Sequence, residues 1–217
     1  MMKKRSEAIV DQGFVYSEET HLTVLKSSLF FSGDGFSAYD SKGEVVFRVD
    51  SYGDSGEVVL MDPTGRCILT VRRKRPSLHQ RWEGYIGEGN DGQKPLFSVR
   101  RSSMIGRSSI TADVYTDPEQ EYQIDGSFIC QNCTIFNSDK GTVAEIRRKV
   151  DGNTNMVLGK DVFLLSLKPG FDSAFAMGLV LVLDQIQGDD DDETDGESEI
   201  GSRVGVEHTT EDSYFSP

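Results

Sequence analysis

One short stretch restricts what this chain can fold into more than any other. Ala174–Leu183 is ten residues long, carries no polar side chain, and lies between Asp172 and Asp184. A membrane span needs about 20 apolar residues to cross a core of roughly 30 Å. A helix from Ser173 to Gln187 rises only ~22 Å, so the stretch is too short to span. Asp172 is a favourable N-cap and Gly188 a favourable stop, which predicts a helix over 173–187. Phe175, Met177, Leu179, Val180, Leu181, Val182 and Leu183 point in every direction around it. A helix that is apolar on all sides has to be enclosed on all sides.

Charge is distributed very unevenly. The 217 residues carry a net charge of −13, and residues 188–217 hold eleven acids against the single Arg203, which accounts for −10 of it. The remaining body is therefore close to balanced at −3, and the low isoelectric point describes the tail rather than the folded surface. That tail lacks the apolar surface to order itself. The expected organisation is a flexible segment over 1–20, a domain over 21–187 and an acidic disordered tail over 188–217. Ser198, set between Glu197 and Glu199, suits an acidophilic kinase. The N-terminal "MMKKRSEAIVDQG" has no apolar core, which argues against a secretory signal. Three cysteines are too few for a disulfide framework. Both features point to a reducing compartment: cytoplasmic, with peripheral contact at the plasma membrane or entry to the nucleus.

Short segments rich in Val, Ile, Phe and Tyr fill the chain ahead of the helix. "EVVFRVD", "GEVVLMD", "RCILTVRR", "LFSVRR" and "DVFLLSL" are typical, and turn residues separate about twelve of them. In "EVVFRVD", Val45, Phe47 and Val49 share one face. Asp62-Pro63-Thr64-Gly65 and Asp40-Ser41-Lys42-Gly43 have type I turn chemistry, and "FNSDKG" resembles them. A sandwich has no room for an all-round apolar helix, whereas a wide barrel leaves a hollow that its own side chains cannot fill. The expected fold is mainly β, a closed antiparallel barrel of about twelve strands around a central buried C-terminal helix.

The phrases "GFSAYDSKGEVVFRVD", "VVLMDPTGRCILTVRRKRPSLHQRWEGYIGE", "PLFSVRRSS" and "VLGKDVFLLSLKPGFDSAFAMGLVLVLDQI" closely resemble the plant LURP-one-related proteins, from about His21 to Gln187. The resemblance implies a tubby C-terminal-like fold, shared with phospholipid scramblases. It also implies no established enzymatic activity, and a link to plant defence through the family's founding member.

Few motifs carry chemistry. Gly53-Asp54-Ser55-Gly56 matches a serine-protease string, but a triad needs a histidine oriented by an acid, and His21, His79 and His208 have no such context. A hydrolase using Ser55 is the least favoured reading. Cys130-Gln131-Asn132-Cys133 has metal-site spacing but no second ligand pair. No phosphate-binding glycine loop is present, so no metal, cofactor or catalytic residue is expected. Three basic clusters close strands: Arg72, Arg73, Lys74 and Arg75; Arg100 and Arg101; Arg147, Arg148 and Lys149. If these ends share one rim they form a positive collar suited to an anionic phospholipid headgroup or a protein partner. Otherwise they keep strand edges soluble. The net negative body and the single Trp82 argue against nucleic acid. The expected role is a non-enzymatic membrane-tethering or interaction module, with scramblase-like lipid translocation as the alternative.

Overall fold

The computed structural model describes residues 8–29, 35–50, 56–74, 81–89, 92–104, 107–116, 118–152 and 154–196. Twelve strands form in chain order: β1 (Thr20–Leu25), β2 (Phe36–Tyr39), β3 (Val45–Val49), β4 (Glu57–Met61), β5 (Cys67–Arg73), β6 (Arg81–Ile86), β7 (Phe97–Met104), β8 (Arg107–Val114), β9 (Gln120–Ser127), β10 (Asn132–Asn137), β11 (Thr142–Arg148) and β12 (Val162–Leu167). Each pairs antiparallel with its sequence neighbours, and β1 closes the ring on β12 with Leu22 opposite Leu165. No open edge remains among them.

Alternation explains the wall. Residues such as Leu22 and Val24, Phe47 and Val49, Leu69 and Val71, and Ile135 of β10 and Phe163 of β12 are fully buried. The residues alternating with them in β1, β3 and β10 face outward and are partly exposed, whereas Thr70 of β5 is buried, its hydroxyl donating to the Gly87 carbonyl at 2.6 Å. Into this hollow runs α1 (Ser173–Gly196). Every side chain from Ser173 to Leu183 is buried, as an all-round apolar helix requires. Phe175 meets Phe97 edge-on at 5.1 Å and Tyr122 at 5.3 Å. Each large apolar side chain enclosed this way contributes roughly 1.5–3 kcal/mol. The barrel and its central helix are as the sequence predicts.

The helix does not stop at Gly188 but continues to Gly196. A glycine in a helix interior costs only ~1 kcal/mol relative to alanine. That is too little to end a helix whose preceding turns are held by packing.

The start of α1 is closed by part of the N-terminal stretch, 1–20, that the sequence sets apart as a flexible segment. Residues 8–16 cross the barrel end, with Ile9 buried and Phe14 stacked on Phe47 at 4.9 Å. Asp172 joins the two segments. Its Oδ1 accepts from the backbone N–H groups of Ala174 at 2.9 Å and Phe175 at 3.1 Å. Its Oδ2 accepts from those of Val10 at 2.7 Å and Asp11 at 3.2 Å. Ser173 Oγ donates to the Phe14 carbonyl at 2.9 Å. One carboxylate thus caps the helix and anchors the N-terminal segment.

Three hairpins share one turn design. In Asp40–Gly43 and Asp62–Gly65 the fourth residue's N–H donates to the first residue's carbonyl, and the glycine takes positive φ, 82° and 92°. In the third, Asn137–Lys140, the glycine falls one position late. Lys140 therefore occupies the left-handed conformation at φ 61°, and Gly141 follows it. Each turn is accompanied by a register shift in the adjoining strand.

Candidate functional site

Antiparallel order decides where the basic clusters lie. All odd-numbered strands run the same way, so β5, β7 and β11 end at one rim, together with β1 and β9. The same rim is where α1 leaves the barrel. There Lys26, just after β1, pairs with Asp184 at 2.6 Å. Leu183, Ile186 and Gln187 line a recess with Arg101, Ile124, Phe128 and Cys133. The β5 and β11 clusters therefore close their strands at one end of the barrel, the end opposite the Asp172 cap. Arg100 and Arg101 instead lie within β7, short of its end at Met104, with Arg101 lining the recess beside the emerging helix.

Within that rim their environments differ. Arg72 Nε contacts Glu57 Oε1 at 2.7 Å on β4, and the guanidinium lies over the Tyr85 ring at 5.4 Å. Lys74 Nζ pairs with Glu83 at 2.8 Å on β6. Burial pushes the Glu83 carboxyl up, but the bonds from Lys74 and Tyr85 outweigh it and hold the group below its ordinary range. Arg100 reaches Asp113 at 3.6 Å and Glu121 at 3.8 Å, and Arg147 pairs with Glu145 at 2.7 Å on its own strand. Cross-strand neutralisation thus applies to the outward members of the β5 and β7 clusters. By contrast, Arg148 Nε donates to the Cys130 carbonyl at 3.1 Å and Lys149 Nζ to Thr23 Oγ1 at 2.9 Å. Neither of these partners carries a charge. Arg75 lies outside the described residues.

Register adds a second distinction. Arg73 stands opposite Trp82, Arg101 opposite Ile110, and Arg148 opposite Phe163. Directly opposed residues share a sheet face, so one member of each cluster is on the inward face at the mouth from which α1 emerges.

The turn Phe128–Gln131 joins β9 to β10 at this mouth. Phe128 packs edge-on against Phe163 at 5.8 Å, with Lys26 over its ring at 6.0 Å. Gln131, buried and at φ 49°, donates from Nε2 to the Lys160 carbonyl, which ties this turn to the β11–β12 connection. Lys26, Gln131, Lys160, Asp161 and Gln187 line a second recess, and Arg147 and Arg148 a third, on either side of the turn. Lys26 and Lys160 are members of this rim that clustering in sequence did not reveal. They are single lysines at loop positions, brought in only by the strand order.

The remaining motifs gain no chemistry. Cys130 is exposed and Cys133 buried, neither bridged. Burial, then the neighbouring Cys130, pushes the Cys133 thiol up to about 11, which keeps it protonated and poorly nucleophilic. No cluster of three metal-ligating side chains occurs among the described residues. Ser55, His79, Ser198 and His208 lie outside the described residues, and the Nδ1 of His21 is 3.0 Å from Ser166 Oγ. No helix among the described residues is long and apolar enough to cross a membrane.

Comparison with known proteins agrees with this architecture. The family model described as LURP-one-related matches residues 20–184. Protein LURP-one-related 12 of Arabidopsis thaliana is 61% identical over 193 residues, covering 87% of this chain and 88% of its own length. Protein LURP-one-related 5 of the same plant is 65% identical over 189 residues, covering 84% and 90%. The X-ray structure of another Arabidopsis thaliana protein superposes with a TM-score of 0.61 at 20% identity, covering 83% of this chain and 98% of that one; it shares the fold. On these matches and the helix-filled barrel beneath them, the chain belongs to the LURP-one-related family.

Proposed function

We propose that this protein is a non-enzymatic tethering module that docks, through one rim of its barrel, onto an anionic phospholipid surface. The observation that carries the reading is that the basic ends of β5 and β11, with Arg101 of β7 beside the helix exit, face a single rim, despite a net negative chain. Arg148 and Lys149, held by uncharged partners, are its favoured headgroup contacts, with Lys160 beside them. Arginine offers two parallel donors to a phosphate, and each basic residue near an anionic leaflet contributes about 1 kcal/mol. The family's link to plant defence extends the reading to a defence or stress response, with the protein held peripherally at a cytoplasmic membrane face. An acidic protein partner is the nearest competing occupant of the same rim.

The test is flotation of the purified protein with phosphatidylcholine vesicles with and without phosphatidylserine. We expect binding only to the anionic vesicles, weakened about tenfold or more by the double variant Arg148→Glu/Lys149→Glu. Undiminished binding by that variant removes these two residues from the site. Reversal of Arg72 is a poorer probe, because a glutamate there would face Glu57 and disturb the wall itself.

Scramblase-like translocation is the less favoured alternative. It would require α1 to exchange its enclosure within the barrel for lipid. It would also strand the four donors that Asp172 now satisfies. The hydrolase reading rests on Ser55, which lies outside the described residues.

A further inference from the structure

The basic rim also carries most of the exposed large apolar side chains among the described residues. Of the eight found among the described residues, only Ile86 and Tyr115 lie at ends of even-numbered strands. The other six are Leu29, Ile129, Val150, Met156, Val157 and Leu158, all on connections leaving odd-numbered strands, at the rim where α1 exits. Exposure reaches 67% at Met156, 56% at Ile129 and 53% at Val157. Exposed apolar groups scattered singly need no explanation, but a group gathered at one end of a fold does.

The segment that presents four of them is built rather than slack. Between β11 and β12 the chain forms a small finger with Val150 and Val157 bridged. The Leu158 N–H donates to the Lys149 carbonyl at 2.8 Å, and the Asp151 N–H to the Met156 carbonyl at 2.9 Å. Asp151 Oδ1 accepts from the Thr154 N–H at 2.7 Å and from its hydroxyl at 2.9 Å, so this carboxylate is engaged within the finger's own turn. Asn155 takes φ 54° to close that turn. A second projection, Phe128–Gln131, is tied to the base of the finger through the Gln131–Lys160 bond. Lys149 and Lys160 flank the finger, with Arg147 and Arg148 at its root and Asp161 exposed beside Lys160.

We propose that this finger and the Ile129 turn insert their apolar side chains into the headgroup and upper acyl region of an anionic bilayer, while the adjoining lysines and arginines hold the phosphates. The inference rests on the lipid reading above and adds to it a hydrophobic anchor that the basic residues alone do not supply. Charge complementarity selects lipid as the occupant. Val150, Met156, Val157 and Leu158 lie on the finger's two arms beside Lys149 and Lys160, so one face offers aliphatic groups and cations together, as an interface of hydrocarbon and phosphate requires. A purely electrostatic contact would have no use for four ordered, solvent-facing aliphatic groups.

Two measurements on the full chain test it. Vesicle flotation at low salt compares the natural protein with Met156→Asn/Val157→Asn, whose exposed positions leave the barrel core untouched. We expect binding to phosphatidylserine-containing vesicles to fall at least about tenfold, in line with removal of two inserted aliphatic groups. Separately, Val157→Trp adds an indole on the finger's arm opposite Val150, whereas the single native Trp82 is buried at 2% exposure. Vesicles containing brominated phosphatidylcholine should quench the emission of the variant and leave that of the natural protein unchanged. Full binding by the asparagine variant with no quenching overturns insertion while leaving electrostatic docking intact. Failure of the natural protein to bind either vesicle overturns both readings and assigns the rim to a protein partner.

Discussion

At the scale of single residues, Asp172 does the most. It is 2% exposed and accepts four backbone donors from two segments about 160 positions apart in sequence. Burial pushes its carboxyl above the ordinary range, and the four N–H groups oppose that push. Asp172→Ala would strand those donors at a buried helix end, at an expected cost of about 3 kcal/mol in urea unfolding. Lys140 is the converse case, a non-glycine residue in a left-handed turn position that Gly43 and Gly65 fill elsewhere. Lys140→Gly should raise stability by about 0.5–1 kcal/mol, read as a higher melting temperature, while Gly65→Ala should lower it by about as much. Asp62 supplies a pH signature. Its carboxyl is lowered from an ordinary 3.8 to about 2, first by the Thr64 hydroxyl and, against a burial cost, by Arg66 and the turn's N–H groups. A lowered carboxylate pKa adds stability above pH ~4 that is lost as pH falls towards ~2. The stability difference between the natural protein and Asp62→Asn should therefore shrink across that interval; a constant difference would contradict the assignment.

At the scale of elements, the helix and the wall fit each other through their smallest residues. A Cβ placed on Gly178 would stand 2.5 Å from Leu69 Cδ2 and 3.4 Å from Phe97 Cζ. On Gly84 of β6 it would stand 2.1 Å from the Phe97 ring. Phe97 is thus wedged between two positions that have no side chain, which lets it pack edge-on against Phe175. Gly178→Val is expected to cost about 1–3 kcal/mol by overpacking, measured as a lower urea midpoint. Gly178→Ala should lie closer to neutral, because its helix propensity gain of ~1 kcal/mol opposes the clash. Enclosure of α1 was legible beforehand in the lack of a polar face over 174–183. Its length was not, since Gly188 reads as a stop and the helix passes through it.

At the scale of the whole molecule, the two barrel ends differ in character. One is sealed by residues 8–16 and the Asp172 cap. The other combines the basic clusters, the apolar finger and the exit of α1 into an acidic C-terminal region. Net charge of −10 leaving beside the basic rim should compete with an anionic surface for the same cations. Removing residues 188–217 is therefore expected to increase binding to phosphatidylserine vesicles at low salt. The gain should fade as the screening length drops to ~8 Å at physiological ionic strength, and equal or weaker binding by the truncated chain would contradict this competition. The sequence alone determined the architecture, because a ten-residue apolar stretch with no polar side and a dozen alternating segments admit few arrangements that bury both. It also marked three basic strand ends and three related turns, all local patterns. Only the tertiary structure decided that the β5 and β11 ends face one rim, that Arg72 and Lys74 are neutralised, that Val10 and Asp11 belong to Asp172, and that the Ile129 turn is tied to the finger's base through Gln131 and Lys160. Each of these depends on strand direction and on contacts between residues remote along the chain, and periodicity, which reports only a residue's own face, contains neither.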